Sequence, residues 1–304
     1  MKKSWKIILS LCLILALLLS LCALSFPAGA EEEIAGETPA REPVGSGRSG
    51  DYEYEYYADS TASITRYSGW DAEVVIPAEL DGHPVTAIGE QAFYYASLTA
   101  VTIPEGVTTI GDSAFSDCIS LTAVTIPDSV TEIGVNPFVR CIRLTEINVS
   151  PEHPALEVID GVLFEKTSKR LVTYPCAFTA AEYSIPQGIE EIGGYAFAYC
   201  ESLTAVTIPD SVTTIGDYAF SQCESLTAVT IPEGVTSIGE AAFYECYFLT
   251  SVTVPESVTA IGNGAFADCP NLTLTVPRDS YAAQYCKDNG IAYQYADAHD
   301  WLLN

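Results

Sequence analysis

Apolar residues return to the same places along this chain. In the segment Leu203 to Ser225, LTAVTIPDSVTTIGDYAFSQCES, the large apolar residues Leu203, Val206, Ile208, Val212, Ile215 and Phe220 are separated by small and polar ones. The Ile of an Ile-Gly step recurs at Ile88, Ile110, Ile133, Ile192, Ile215, Ile238 and Ile261. A Phe follows each five residues later, at Phe93, Phe115, Phe138, Phe197, Phe220, Phe243 and Phe266. Most neighbouring copies lie 23 residues apart. That period predicts a solenoid in which each copy is one coil stacked on the next. Leu203, Val206 and Ile208 take the inward places of an L-x-x-L-x-L arrangement, and Ala205 to Ile208, rich in β-branched residues, reads as a short parallel strand. Pro209 ends it, because proline has no N–H for the ladder. Asp210-Ser211 makes a turn, Val212 and Ile215 point inward again, and Gly216 allows a tight reversal. Asp217 reads as the N-cap of a short helical turn carrying Ala219-Phe220, and Cys223 and Leu226 close the coil. One coil cannot bury its apolar side alone, so the copies must stack.

The predicted fold class is therefore a repeat solenoid, a leucine-rich-repeat rod or arc of about nine or ten rungs ~4.8 Å apart. It carries a parallel β-sheet on one face and short helical or irregular turns on the other. The repeats span 88–277. Between Pro127 and Pro186 lie 59 residues, not a multiple of the period. Apolar runs at 160–164 and 171–175 flank Glu165 to Arg170, which predicts an elaborated rung with a β-hairpin at about 147–185. Strands at Tyr52 to Tyr57, Ile64 to Tyr67 and Val74 to Pro77 form an N-terminal cap and first rung over 52–87. Val276-Pro277 reads as the last strand. A C-terminal cap over 278–304 contains a helix from Ser280 to Asn289, started by Asp279 or Ser280 and stopped by Gly290. Ala283, Tyr285 and Cys286 would cover the final coil.

The phrase L-x-x-V-x-I-P-x-x-V-x-x-I-G-x-x-A-F-x-x-C resembles the BspA-like class of bacterial leucine-rich repeats. The resemblance runs from about Ile64 to Tyr295 and includes the opening Ile64 to Gly69, the DGVLF and YP elements of the long rung, and the VP-x-x-S-Y-A-x-x-Y ending. It implies an exported, cell-surface protein that attaches to host proteins or to other cells. It implies no enzyme and no cofactor.

Composition narrows the setting. Lys2, Lys3 and Lys6 precede an apolar run from Ile7 to Leu24, and Ala28-Gly29-Ala30 is an A-x-A cleavage site, so residues 1–30 read as a secretory signal peptide. The alternatives are an uncleaved leader acting as a membrane anchor or lipidation at Cys22. The spacer 31–51, rich in Glu, Gly, Pro and Ser, is expected to be disordered. The whole chain carries a net charge of −27, and removal of the leader makes it −30. Such a charge excludes nucleic acid and anionic membranes as partners.

Candidate chemistry is weighed against the repeat. Six cysteines, Cys118, Cys141, Cys200, Cys223, Cys246 and Cys269, each stand three residues after the Phe and predict a ladder of buried thiols acting as small hydrophobes. Cys176 and Cys286 lie off that ladder. No C-x-x-C pair suggests a metal, and His83, His153 and His299 belong to no recognisable triad. Glu105, Asp128, Asp210, Glu233 and Glu256 predict an acidic row, read first as turn chemistry and second as a calcium site. Thr102, Thr125, Thr207, Thr230 and Thr253 predict an outward ladder, read as β-propensity on an exposed face or as a hydroxyl surface for glycan or ice. Tyr94, Tyr95, Tyr195, Tyr199, Tyr218, Tyr244, Tyr247 and Phe248 occupy places the repeat leaves variable. They form the candidate interaction face, for a protein or glycan ligand on a host matrix or another cell. The alternative is a structural envelope or spacer protein without a ligand.

Overall fold

A computed structural model describes residues 41–296. The leader, the spacer up to residue 40, His299 and the rest of the last eight residues lie outside the described part. The cap strands are β1 (Gly45–Ser49), β2 (Tyr52–Tyr56), β3 (Ala62–Tyr67), β4 (Glu73–Val75), β5 (Glu79–Leu80) and β6 (His83–Ile88). Each rung then gives a three-residue and a two-residue strand: β7 (Ala100–Thr102), β8 (Thr109–Ile110), β9 (Ala123–Thr125), β10 (Glu132–Ile133) and β11 (Glu146–Asn148). The elaborated rung contains β12 (Leu156–Ile159), β13 (Val162–Glu165) and β14 (Arg170–Thr173). The rungs resume with β15 (Glu182–Ser184), β16 (Glu191–Ile192), β17 (Ala205–Thr207), β18 (Thr214–Ile215), β19 (Ala228–Thr230), β20 (Ser237–Ile238), β21 (Ser251–Thr253), β22 (Ala260–Ile261) and β23 (Thr273–Val276). Helix α1 (Tyr281–Asn289) and β24 (Ala292–Tyr295) close the array.

The result is a parallel-strand solenoid of about 10 turns. The three-residue strands stack in the orders β4-β7-β9-β11 and β15-β17-β19-β21-β23-β24. The two-residue strands around each Ile form a second parallel stack, β3-β6-β8-β10 and β14-β16-β18-β20-β22. Parallel ladders therefore line two sides of the coil, where the residue pattern suggested one. The sequence leads one to expect a reversal at the Ile-Gly step, but Gly216 serves close stacking. A Cβ there would lie 2.6 Å from Gly194 N and 3.0 Å from Ile192 O, in the backbone of the rung before. Gly216 N uses that approach to donate to Ile192 O at 2.8 Å.

Threonines stitch the rungs together. Thr122 N and Oγ1 both donate to Thr99 O, at 3.0 and 3.1 Å, and Thr227 and Thr250 treat the preceding rung alike. These bonds run from a later rung to an earlier one. On the Phe turn the direction reverses, with Phe197 N donating forward to Ala219 O and Phe220 N to Ala242 O.

Inside, the phenylalanines stack in a column. Ring centroids of Phe197, Phe220, Phe243 and Phe266 are 4.9–5.2 Å apart, at 6–7° between planes. Tyr67 opens the first column against Phe93, and Tyr174 opens the second against Phe197. Beside them runs the thiol column. Cys118, Cys141, Cys223, Cys246 and Cys269 each donate Sγ–H to the carbonyl of the preceding rung's Phe, at 3.0–3.1 Å.

Several expectations are corrected. The strand β1 falls inside the stretch read as a disordered spacer, because Gly45 and Gly47 pack under the rings of Tyr56 and Tyr54 across a hairpin. Asp217 does not cap its own turn. Its Oδ1 accepts Glu240 N of the next rung at 2.7 Å, and left-handed residues at Tyr218 (φ 55°) and Gln222 (φ 56°) prevent a helical turn between them. Cys176, off the repeat position as expected, is half-buried and packs against the second core. Val276 is not the end of the sheet, because β24 pairs beyond it in parallel. Ser280 does cap α1, accepting Ala283 N at 3.1 Å, and Gly290 ends it at φ 69°.

The elaborated rung divides the array. The strands β12, β13 and β14 form an antiparallel meander, one strand more than a hairpin. Both parallel stacks stop on one side of it and restart on the other. Two hydrophobic cores result, one on each side. No strand pair crosses this seam among the described residues. Side chains cross it instead. Ile133 O, the place where the next rung's Gly N would donate, receives Arg170 Nη2 at 2.7 Å. Asn136 Nδ2 donates to Tyr195 O at 2.8 Å, and Asn136 Oδ1 accepts Thr173 Oγ1 at 2.7 Å.

Candidate functional site

The turn after each Ile-Gly step fixes what the surface offers. In most rungs the third and seventh residues after the Ile adopt left-handed backbone, as at Tyr195 (φ 56°) and Tyr199 (φ 63°). Non-glycine residues rarely occupy this region. Hydrogen bonds between neighbouring turns, such as Tyr195 N to Asp217 O and Tyr199 N to Ser221 O, hold those residues in rows along the stack.

The eight candidate aromatics fall into separate groups on these rows. Tyr94 and Tyr95 are exposed on the first full rung, edge to face at 4.3 Å. Tyr247 and Phe248 are exposed far along the same edge, with Tyr244 half-buried nearby. Glu201 and Glu224 hold the equivalent place of Tyr247 on the two rungs between. Tyr195 and Tyr218, both half-buried, form a parallel stack at 4.8 Å on a different row. Tyr199 lies under the Arg140 guanidinium, 4.9 Å from its ring centre. Residue-by-residue reading missed Ile119 and Ile142, which are 50% and 52% exposed on the turns of the two rungs that follow Tyr94 and Tyr95. Their signal was available, since they stand where other rungs carry Glu.

A second missed feature is charge placement. Between residues 67 and 277 every Lys or Arg lies in the stretch 140–170: Arg140, Arg143, Lys166, Lys169 and Arg170. Four of them fasten the seam region. Arg140 Nη1 meets buried Asp117 Oδ1 at 2.8 Å, which has no other partner. Arg170 pairs with Glu165 at 3.1 Å, Lys166 Nζ donates to His153 O at 2.7 Å, and Lys169 pairs with Glu190. Arg143 is exposed.

The two described histidines, His83 and His153, are held by neighbouring groups. His153 is 1% exposed. Its Nδ1 accepts Ala155 N and Leu156 N at 3.2 and 3.0 Å, so the proton belongs on Nε2, which donates to Pro127 O at 3.0 Å. His83 stacks on Tyr56 at 4.5 Å. The buried thiols are held protonated. Burial pushes Cys223 up to about 12 and Cys176 and Cys286 up to about 11. Protonated thiols are poor nucleophiles and poor metal ligands. Glu105, Asp128, Asp210, Glu233 and Glu256 are all exposed in turns after the strand prolines. Thr102, Thr125, Thr207 and Thr230 are exposed on the outer side of the three-residue strands and Thr253 is half-buried. Among the described residues no group of three or more His, Cys, Asp or Glu is placed to hold a metal ion, and no helix is long and apolar enough to cross a membrane.

Three surface depressions are sizeable. One of about 820 Å³ lies between the last rung and α1, reached by Cys269 and Tyr285. One of about 620 Å³ draws its walls from both sides of the seam. One of about 610 Å³ follows the strand ends from Val206 to Ala296.

Comparison with known proteins agrees with this architecture. A leucine-rich-repeat protein from Eubacterium ventriosum is 24% identical, with 76% of this chain and 77% of that chain covered and a TM-score of 0.54. The pneumococcal vaccine antigen PcpA is 15% identical, with 83% and 98% covered and a TM-score of 0.51. A leucine rich cell surface protein from Faecalibacterium prausnitzii is 24% identical, with 83% and 98% covered and a TM-score of 0.42. The first two likenesses concern the fold alone. No curated protein matches the sequence. The family model described as BspA type leucine rich repeat region, six copies, matches residues 80–183 and 174–286. Matched over more than half its length, and coiled as the repeat phrase requires, the chain belongs to the BspA-type leucine-rich-repeat family.

Proposed function

We propose that this chain is an exported, non-enzymatic binding module that meets a protein partner along its turn edge, at a cell surface or outside the cell. The observation that carries the reading is the set of exposed apolar side chains on the turn edge of the first three full rungs, Tyr94, Tyr95, Ile119 and Ile142, in a chain of net charge −27. Exposed apolar patches bordered by polar residues mark interaction sites, and aromatic residues dominate binding energy. The basic, apolar and A-x-A order of residues 1–30 supports export. Repeat scaffolds of this kind commonly present extended binding surfaces. One observation favours the alternative, a ligand-free spacer: Tyr247 and Phe248 stand apart from the first patch, with Glu201 and Glu224 between.

The test is binding of the secreted chain to a panel of purified extracellular matrix proteins and to intact cells. Saturable binding is expected, weakened roughly tenfold or more by Tyr95→Ser with Ile142→Ser. Absence of saturable binding, or indifference to both substitutions, favours the spacer.

A further inference from the structure

The groove of about 620 Å³ that spans the seam is a second candidate site, on a different row from the apolar edge. In rungs on either side, the second residue after the Ile is an acid: Glu90, Asp112, Asp217 and Glu240. At the seam those places are taken by Val135 and Gly194, so the acidic row is interrupted by a dent whose lining still includes the carboxylates of Glu90, Asp112, Glu191 and Asp217. The Tyr195–Tyr218 stack forms its wall, with ring planes 1° apart. Neither end of the stack is covered by another ring. On one side the equivalent place is Asn136, buried and turned inward onto Tyr195 O, Phe138 N and Thr173. On the other it is Ala241. The flanking carboxylates are fixed in position. Asp112 Oδ1 accepts Val135 N at 2.8 Å and Asp217 Oδ1 accepts Glu240 N at 2.7 Å. The second oxygen of each accepts no hydrogen bond from the described residues.

Aromatic faces beside a dent, with oriented acceptors at its margins, match the chemistry of a sugar ring. Its C–H face packs on an aromatic ring and its hydroxyls donate to fixed carboxylates. The overall charge of −27 repels anionic glycans. We infer that this groove binds an uncharged saccharide, independently of any protein bound at the turn edge.

Affinity electrophoresis of the full secreted chain tests the inference. The gels contain soluble starch, β-glucan, mannan or galactan, with heparin and polylysine as charged controls. At least one neutral polysaccharide should retard the chain, equally in 0.05 and in 0.5 M salt, because no ion pair is involved (salt values are of the order set by charge screening). Tyr195→Asn with Tyr218→Asn should weaken that retardation roughly tenfold. Asn is chosen because it tolerates left-handed backbone. Tyr94→Ser with Tyr95→Ser should leave it unchanged. If the double variant melts early, Tyr218→Asn alone, one rung away from the seam, decides. Retardation by none of the neutral polymers overturns the inference. So does equal binding by the Asn variants, or binding of polylysine or heparin alone, abolished by salt.

Discussion

Replacing Arg170 by Met asks how far the seam couples the two halves. The guanidinium side chain is 13% exposed and its partner Glu165 is 18% exposed. Met fills similar space and makes no polar contact. Ile133 O then loses the 2.7 Å donor that stands in for a rung-to-rung bond, and Glu165 keeps a charge in a part-buried place. A hydrogen bond from a charged donor contributes about 1.5–3 kcal/mol. Adding the stranded carboxylate, the expected loss is about 2–4 kcal/mol. In a domain of this size that lowers Tm by about 2–4 °C per kcal/mol. The form of the transition matters more than its midpoint. A solenoid unfolds as a row of units joined by neighbour terms, so weakening one junction between two cores should split one calorimetric peak into two. Arg143→Met is the control. It removes the same charge from an exposed position and should change stability by less than about 0.5 kcal/mol. If the two variants melt alike, the seam is not held as described.

Three further outcomes are expected. His153→Ala removes the acceptor of two backbone N–H groups and the donor to Pro127 O, and should lower the unfolding free energy in urea by about 2–4 kcal/mol; a loss under about 1 kcal/mol refutes the structural role. Gln222→Gly relieves left-handed strain at φ 56° and should raise stability by about 0.5–1 kcal/mol, read as a higher Tm; a lower Tm contradicts it. Burial raises the folded-state thiols of Cys223, Cys176 and Cys286, to about 12 for the first and about 11 for the others, above an ordinary value of 9.0. Unfolded thiols therefore ionise first, so stability is complete below pH ~9 and declines as the pH rises through the folded values. Urea midpoints that stay level between pH 9 and 11 would contradict that linkage.

What the sequence revealed depended on distance along the chain. Leu203, Val206, Ile208 and Phe220 share one coil, so their spacing alone places them inward. Ser280 and Gly290 sit at the ends of one short helix, and their capping is local. Thr122 was harder, because its two hydrogen bonds go to a carbonyl 23 residues back. The same separation hid the true partner of Asp217, the N–H of Glu240. The seam was hardest. Arg170 reaches Ile133 across 37 residues, along a path set by a meander that breaks the period. The candidate aromatics stand at positions that vary from rung to rung. The left-handed backbone at Tyr95, Tyr195, Tyr199 and Tyr218 was announced by no residue type, since Gln, Asp and Arg occupy the same places in other rungs.

The opposed directions of the threonine and phenylalanine-turn bonds have an electrical consequence. In an α-helix every peptide dipole points the same way, and partial charge accumulates at the ends. Here Thr122 N and Gly216 N donate toward the amino end, while Ile126 N, Phe197 N and Phe220 N donate toward the carboxyl end. The axial moments oppose each other, so adding coils builds no voltage between the tips. Lengthening such a protein therefore builds no macrodipole, and that term sets no limit on the number of turns.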